Sequence, residues 1–125
     1  MFGIDNTYNA LNTSAITDLL TVHLGQPALY KGFVLPDRLP NSATSINVYL
    51  IGPTDPFVYW ENRVSINCRA KTEKASRDLA QTVYNNVNRK QYNGYYLTMS
   101  VGQVIPPADK TDNYNTPIEA RILER

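Results

Sequence analysis

The sequence predicts an α+β domain, a largely antiparallel sheet of four or five strands with two main helices packed on one face. Two observations carry this reading. The predicted order is helix, extended segment, two strands, helix, two strands, with few long crossovers. The last two strands are joined by a loop and not by a helix, as an antiparallel pair allows. At 125 residues the chain fits one domain over 1–125. It can bury about two thirds of its unfolded surface, so folding requires neither a metal nor a disulfide.

Ile16, Leu19, Leu20, His23 and Leu24 fall at i, i+3, i+4, i+7 and i+8, which predicts a first helix over residues 14–24. Thr13 or Ser14 can cap it, Gly25 suits a left-handed end, and Pro27 forbids continuation. Residues 6–11 offer a further turn ahead of it. Residues 28–34 read as a short strand or extended segment. Pro36 and Pro40 make residues 35–42 a loop, since proline lacks the N–H that a ladder needs. Over residues 45–51, Ile46, Val48 and Leu50 point one way and Asn47 and Tyr49 the other.

A Gly-Pro turn at 52–56 leads through residues 57–60 to a half-buried strand over 63–70. There Val64, Ile66 and Cys68 alternate with Ser65, Asn67 and Arg69. The strongest helix follows over 73–88, with Ala75, Leu79, Val83 and Val87 on a stripe widened by Ala80 and Tyr84. Thr72 is its expected N-cap. Asn93-Gly94 turns the chain into a strand over 95–101. A bulge or bend is expected at Gly102. After a polar loop at 106–115, residues 116–123 form the last strand, with Ile118, Ala120 and Ile122 on its buried face.

The composition narrows the function. Charged residues make up 18% and the formal net charge is +1, so there is no electrostatic footprint of a dedicated nucleic-acid binder. No apolar run approaches the length of a membrane span, and the N-terminal residues have no signal-peptide pattern. The single histidine, His23, falls on the apolar stripe of the first helix, and the single cysteine, Cys68, on a buried strand face. Both read as packing residues. No metal-ligand spacing, phosphate loop or dinucleotide fingerprint occurs. The expectation is a protein that is not an enzyme and holds no cofactor. Nine tyrosines admit base stacking on the sheet, but the Tyr95–Met99 stretch lacks the basic-Gly-aromatic signature of RNA-recognition domains. One inward tyrosine and one at a subunit interface is the favoured reading.

Residues 57–70 (FVYWENRVSINCRA) run directly into an Ala- and Leu-rich helix at 73–87 (EKASRDLAQTVYNNV). This strand-to-helix pattern, R-V-x-I-x-C-R-A followed by A-x-x-L-A-x-x-V, resembles the tail-terminator and minor capsid (neck, tail-completion) proteins of long-tailed bacteriophages. The resemblance extends over most of the chain. It leaves out residues 37–43 and the stretch after Pro106. It implies a structural virion protein, assembled in the host cytoplasm. Such a protein forms a ring, commonly hexameric, that caps the tail tube and joins it to the head connector while DNA passes through the bore as cargo. A stopper or head-completion protein is the nearest alternative. A nucleic-acid-binding α+β module and a small enzyme are the other classes. A ring needs a patch that meets a different patch on its neighbour. Leu35, Leu39, Phe57, Tyr59 and Trp60 lie in two loop segments rich in apolar and aromatic groups. They are the candidate contacts with a subunit or the tail tube.

Overall fold

A computed structural model describes residues 2–32, 35–36, 39–52, 61–92, 94–109 and 112–124. The chain opens with helix α1 (Phe2–Leu11) and a single helical turn α2 (Ser14–Thr17). The two-residue strands β1 (Val22–His23) and β2 (Gln26–Pro27) form a small hairpin. β3 (Leu29–Lys31), β4 (Ser45–Gly52) and β5 (Glu61–Ala70) follow. Helix α3 (Glu73–Val87) precedes β6 (Gln91–Tyr92), β7 (Tyr95–Val101) and β8 (Tyr114–Glu124).

The architecture corrects the predicted one. The main sheet has six strands in the order β3-β4-β5-β8-β7-β6, and β1-β2 stands apart as a second, two-stranded sheet. The main sheet is mixed, because β3 pairs with β4 in parallel, Leu29 opposite Ile46 and Lys31 opposite Val48. The chain between them, residues 32–44, is about the dozen residues that a parallel crossover requires. The remaining pairs are antiparallel.

Among the described residues α3 is the one main helix. The second predicted helix, over 14–24, is not formed: it stops after one turn at Thr17, and Val22 and His23 enter a strand. The Thr21 N–H donates to the Thr44 carbonyl, and the Thr21 carbonyl accepts from Ala28. These tertiary bonds displace the helical ladder in a stretch where Thr21 and Val22 are β-branched and weakly helical. Leu24 and Gly25 have φ of 52° and 81°, the two left-handed residues of a type I′ hairpin turn. Gly25 thus adopts its expected conformation, in a different turn. The helical turn offered at residues 6–11 belongs to the ten-residue α1.

α3 forms where the sequence placed it. The Thr72 hydroxyl accepts from the Ala75 N–H at 3.1 Å as its N-cap. Ser76, Leu79, Ala80, Val83 and Val87 are its buried side. α1 and α3 cover one face of the sheet. Leu11, Ile16, Val83 and Val87 meet Ile46, Val48, Val64, Ile66, Cys68, Leu97, Ile118, Ala120 and Ile122 in a single core. Lys31 binds Asp5 at 3.0 Å and lies over the Tyr8 ring, tying α1 to β3.

β5 lies at the middle of the sheet, between β4 and β8. It is not half-buried as predicted. Ser65 and Asn67, facing away from the helices, are buried as well as Val64, Ile66 and Cys68. At Gly102, where β7 has ended, the N–H donates to the Pro117 carbonyl at 2.8 Å. A Cβ there would come within 3.1 Å of that same oxygen, so the close approach selects glycine. The ladder resumes at a bridge between Ile105 and Asn115.

Candidate functional site

The side of the sheet opposite the helices carries the groups that the core does not use. Period-two alternation brings Ser45, Asn47, Tyr49 and Ile51 of β4 to this face. The register sets Asn47 beside Asn67, Arg69 beside Asn115 and Ser65 beside Glu119. On β7, Thr98 and Ser100 stand opposite Arg121 and Glu119. The face has two unlike halves.

The first half is covered by the chain's own loops. Asn113 donates its Nδ2 to the Ala43 carbonyl at 2.7 Å, and Asn115 donates to the Asn67 Oδ1 at 2.9 Å. Asn47 donates to the Gly32 carbonyl at 3.2 Å, and Arg69 pairs with Asp112 at 3.3 Å. Leu35, Pro36, Leu39 and Pro40 roof a cavity of about 160 Å³ over Ser45, Arg69 and Asn113. Several polar atoms of this half are buried without a protein partner, among them Ser45 Oγ, Asn47 Oδ1, Arg69 Nε and Tyr30 Oη. Buried polar atoms of this kind normally find water or another chain. Burial also pushes the Tyr30 phenol up from its ordinary pKa.

The second half is open. Arg63 Nε donates to Glu119 Oε1 at 2.7 Å, and Arg121 Nε lies 4.0 Å from the same oxygen. These guanidinium groups, Arg63 first, hold the Glu119 carboxyl below the usual carboxylate range. Beside them a groove of about 420 Å³ crosses the sheet from Tyr49 and Ile51 over Ser65 and Pro117 to Ser100 and Gly102.

The residues singled out from sequence fall as follows. Leu35 and Leu39 are half-buried over the covered half. Phe57, Tyr59 and Trp60 lie outside the described residues. Tyr95 packs against the core and its hydroxyl donates to the Asn6 carbonyl at 3.3 Å, while Tyr96 lies on the opposite face by its register with Leu123. Cys68 is fully buried in the core, and burial pushes its thiol far above the ordinary range, so it is not a ready nucleophile. His23 sits half-buried in β1, not on a helix. Among the described residues, no group of three or more His, Cys, Asp or Glu side chains could hold a metal. No helix among them is long and apolar enough to cross a membrane. The second sheet face was not singled out from sequence. The alternation of Ser45 with Asn47, and of Ser65 with Asn67 and Arg69, was its signal.

No family model matches the chain, and no curated protein matches it in sequence. Among solved structures, it is similar to a chain of the structure described as the virion of a native gene transfer agent particle, at 12% identity and a TM-score of 0.54. The match covers 99% of this chain and 98% of the other. At that identity the likeness is one of fold, and it runs from end to end: the chain has the fold of a polypeptide found in a gene transfer agent virion.

Proposed function

We propose that the chain is a structural virion protein of a phage-like particle, and that it forms a ring at the head–tail neck. The ring caps the tail tube, joins it to the head connector and lets DNA pass through its bore. The observation that carries this reading is the end-to-end likeness of fold to a chain of a gene transfer agent virion. The resemblance of residues 57–87 to the tail-terminator pattern supports the finer assignment. The near-neutral net charge suits a bore through which DNA slides, since tight phosphate contact needs clustered Lys and Arg. Leu35, Leu39, Phe57, Tyr59 and Trp60 remain the proposed contacts with the tail tube or a neighbouring subunit.

The test is deletion of the coding sequence in a particle-producing strain, with electron microscopy of the lysate. Tails of uncontrolled length beside unjoined DNA-filled heads are the expected result. Normal-length tails beside heads that leak DNA would shift the assignment to a stopper or head-completion protein. Intact particles would overturn the virion role. A Leu39→Lys, Tyr59→Lys double variant that folds but no longer attaches to tails supports the contact assignment, and normal attachment removes it.

A further inference from the structure

We propose that the cavity roofed by Leu35, Pro36, Leu39 and Pro40 is a binding site for a neutral carboxamide carried on a short aliphatic stem. A glutamine or asparagine side chain of another polypeptide has that chemistry, and so has a free small amide. The proposal goes beyond the ring reading and does not depend on it, since the site is built from this chain alone.

The room is adequate. The cavity measures about 160 Å³, and an apolar cavity of about 150 Å³ is enough to take up benzene. Its walls are of two kinds. The two leucines and two prolines line one side, and Ser45, Arg69 and Asn113 line the other. Pro40, Asn41 and Asp112 are exposed and form the rim.

The polar wall is buried and unpaired. The β4–β5 register sets Ser45 directly beside Arg69. Ser45 is 1% exposed and Asn113 7%. Ser45 Oγ, Arg69 Nε and Asn113 Oδ1 are all buried without a protein partner. The Asn113 amide is held in one orientation, because its Nδ2 donates to the Ala43 carbonyl at 2.7 Å. Its oxygen is therefore the atom left over. The wall offers an N–H from Arg69, an acceptor from Asn113, and a hydroxyl that serves as either.

These groups select the ligand. Arg69 pairs with Asp112 at 3.3 Å, so its charge is already balanced. An entering anion would meet the Asp112 carboxylate and a cation the Arg69 guanidinium, each without a free counter-charge. A carboxamide is neutral. Its carbonyl accepts from Arg69 Nε and Ser45 Oγ, and its NH2 donates to Asn113 Oδ1. Water satisfies the polar wall, but a bound water needs several polar partners, and the leucine and proline side supplies none. An aliphatic stem covers that side. The Leu39 and Ala43 N–H groups bond to the Pro36 and Pro40 carbonyls within the loop itself, so the roof can shift without breaking them as a ligand enters.

The test is titration of the isotope-labelled chain with propionamide, which is a glutamine side chain without its backbone, followed by nuclear magnetic resonance. Saturable shifts of the Arg69 Nε–H and Ser45 signals are expected. Propionate and propylamine should bind more weakly by about tenfold or more. Ser45→Ala should weaken propionamide several-fold, and Leu39→Trp, which fills the cavity, should abolish its binding; circular dichroism shows that each variant is folded. Tighter binding of the peptide Ac-Gly-Gln-Gly-amide, with none of Ac-Gly-Met-Gly-amide, assigns the ligand to a polypeptide. Propionamide binding with neither peptide assigns it to a free amide. The proposal is overturned by the absence of saturable shifts, by equal binding of propionate or of the methionine peptide, or by a propionamide-soaked crystal with water alone in the cavity. Unchanged shifts in a folded Ser45→Ala chain would overturn it as well.

Discussion

The two faces of the main sheet are built to opposite rules. The face under α1 and α3 is mostly apolar, and its buried polar groups are few. Ser76 Oγ, for example, donates to the Cys68 carbonyl at 2.8 Å and makes a second hydrogen bond with the Thr116 hydroxyl at 2.7 Å. The other face is made of Ser, Asn, Tyr and Arg, with buried polar atoms that lack a protein partner. Burial on the first face supplies the stability of the domain. The second contributes little of that kind and offers hydrogen-bonding groups to whatever meets it. A chain whose helix-side core is complete can leave its other sheet face for assembly.

Four tests would break or sharpen this contrast. The largest effect is expected on the helix side. Leu79→Asp or Val83→Asp places an unpaired carboxylate in the core, at a cost comparable with a domain's whole stability of about 5–15 kcal/mol. Ser76→Asp should do the same. Ser76 stood outside the helical stripe drawn from sequence, but it is buried. Gln81→Glu, on the exposed side of α3, is the control. Circular dichroism melts should show the first three unfolded and the last near wild type.

Next is Cys68→Ser, a buried hydroxyl in place of a small apolar group, expected to cost about 1–3 kcal/mol in urea unfolding while assembly persists. A folded Cys68→Ser protein that fails to assemble would give the thiol a role beyond packing.

A smaller loss is expected at the sheet's margin. Asn88 Oδ1 accepts from the Met99 N–H at 2.8 Å, and Asn88→Ala removes that partner for about 1 kcal/mol. The variant should also self-associate more readily on heating, seen as light scattering.

The smallest effect belongs to the open half of the second face. The folded-state pKa of Glu119 is depressed, so its contribution is present above the unfolded value and lost as pH falls through the folded one. The pair is partly exposed and screened. Glu119→Gln should therefore lower the melting temperature slightly at neutral pH, leave it unchanged in strong acid where Glu119 is already protonated, and so flatten the acid limb of a plot of melting temperature against pH.

The strongly periodic elements were legible in the sequence. α3, β5, β7 and β8 lie where alternation and helical spacing placed them, because each buries a face of Val, Ile, Leu or Ala that is wrong for any other geometry. The N-terminal third was not. Ile16, Leu19, Leu20 and Leu24 match a helical stripe by spacing, yet Leu19 and Leu24 are exposed. The pattern counted apolar residues without knowing that the backbone at Thr21 would bind residues 28 and 44. The parallel β3–β4 pair escaped for a related reason: strand direction is decided by a crossover whose path has no local signature. Of the candidate contacts, Leu35 and Leu39 lie over the sheet's own covered half. The groove between Ile51 and Ser100 was invisible because it joins residues from strands far apart in the chain.

The turn that ends α3 has a consequence for how the protein can be made in quantity. Arg89, at φ of 60°, donates its N–H to the Leu97 carbonyl at 2.7 Å, and the Asn88 side chain satisfies Met99 one step along. Together they occupy the rim of β7 beyond the short β6. An unsealed rim is a template on which another chain can add a strand, and then another, without limit. By spending two residues of a helix end on that rim, the chain removes one route to open-ended fibres while its concentration rises in the cell.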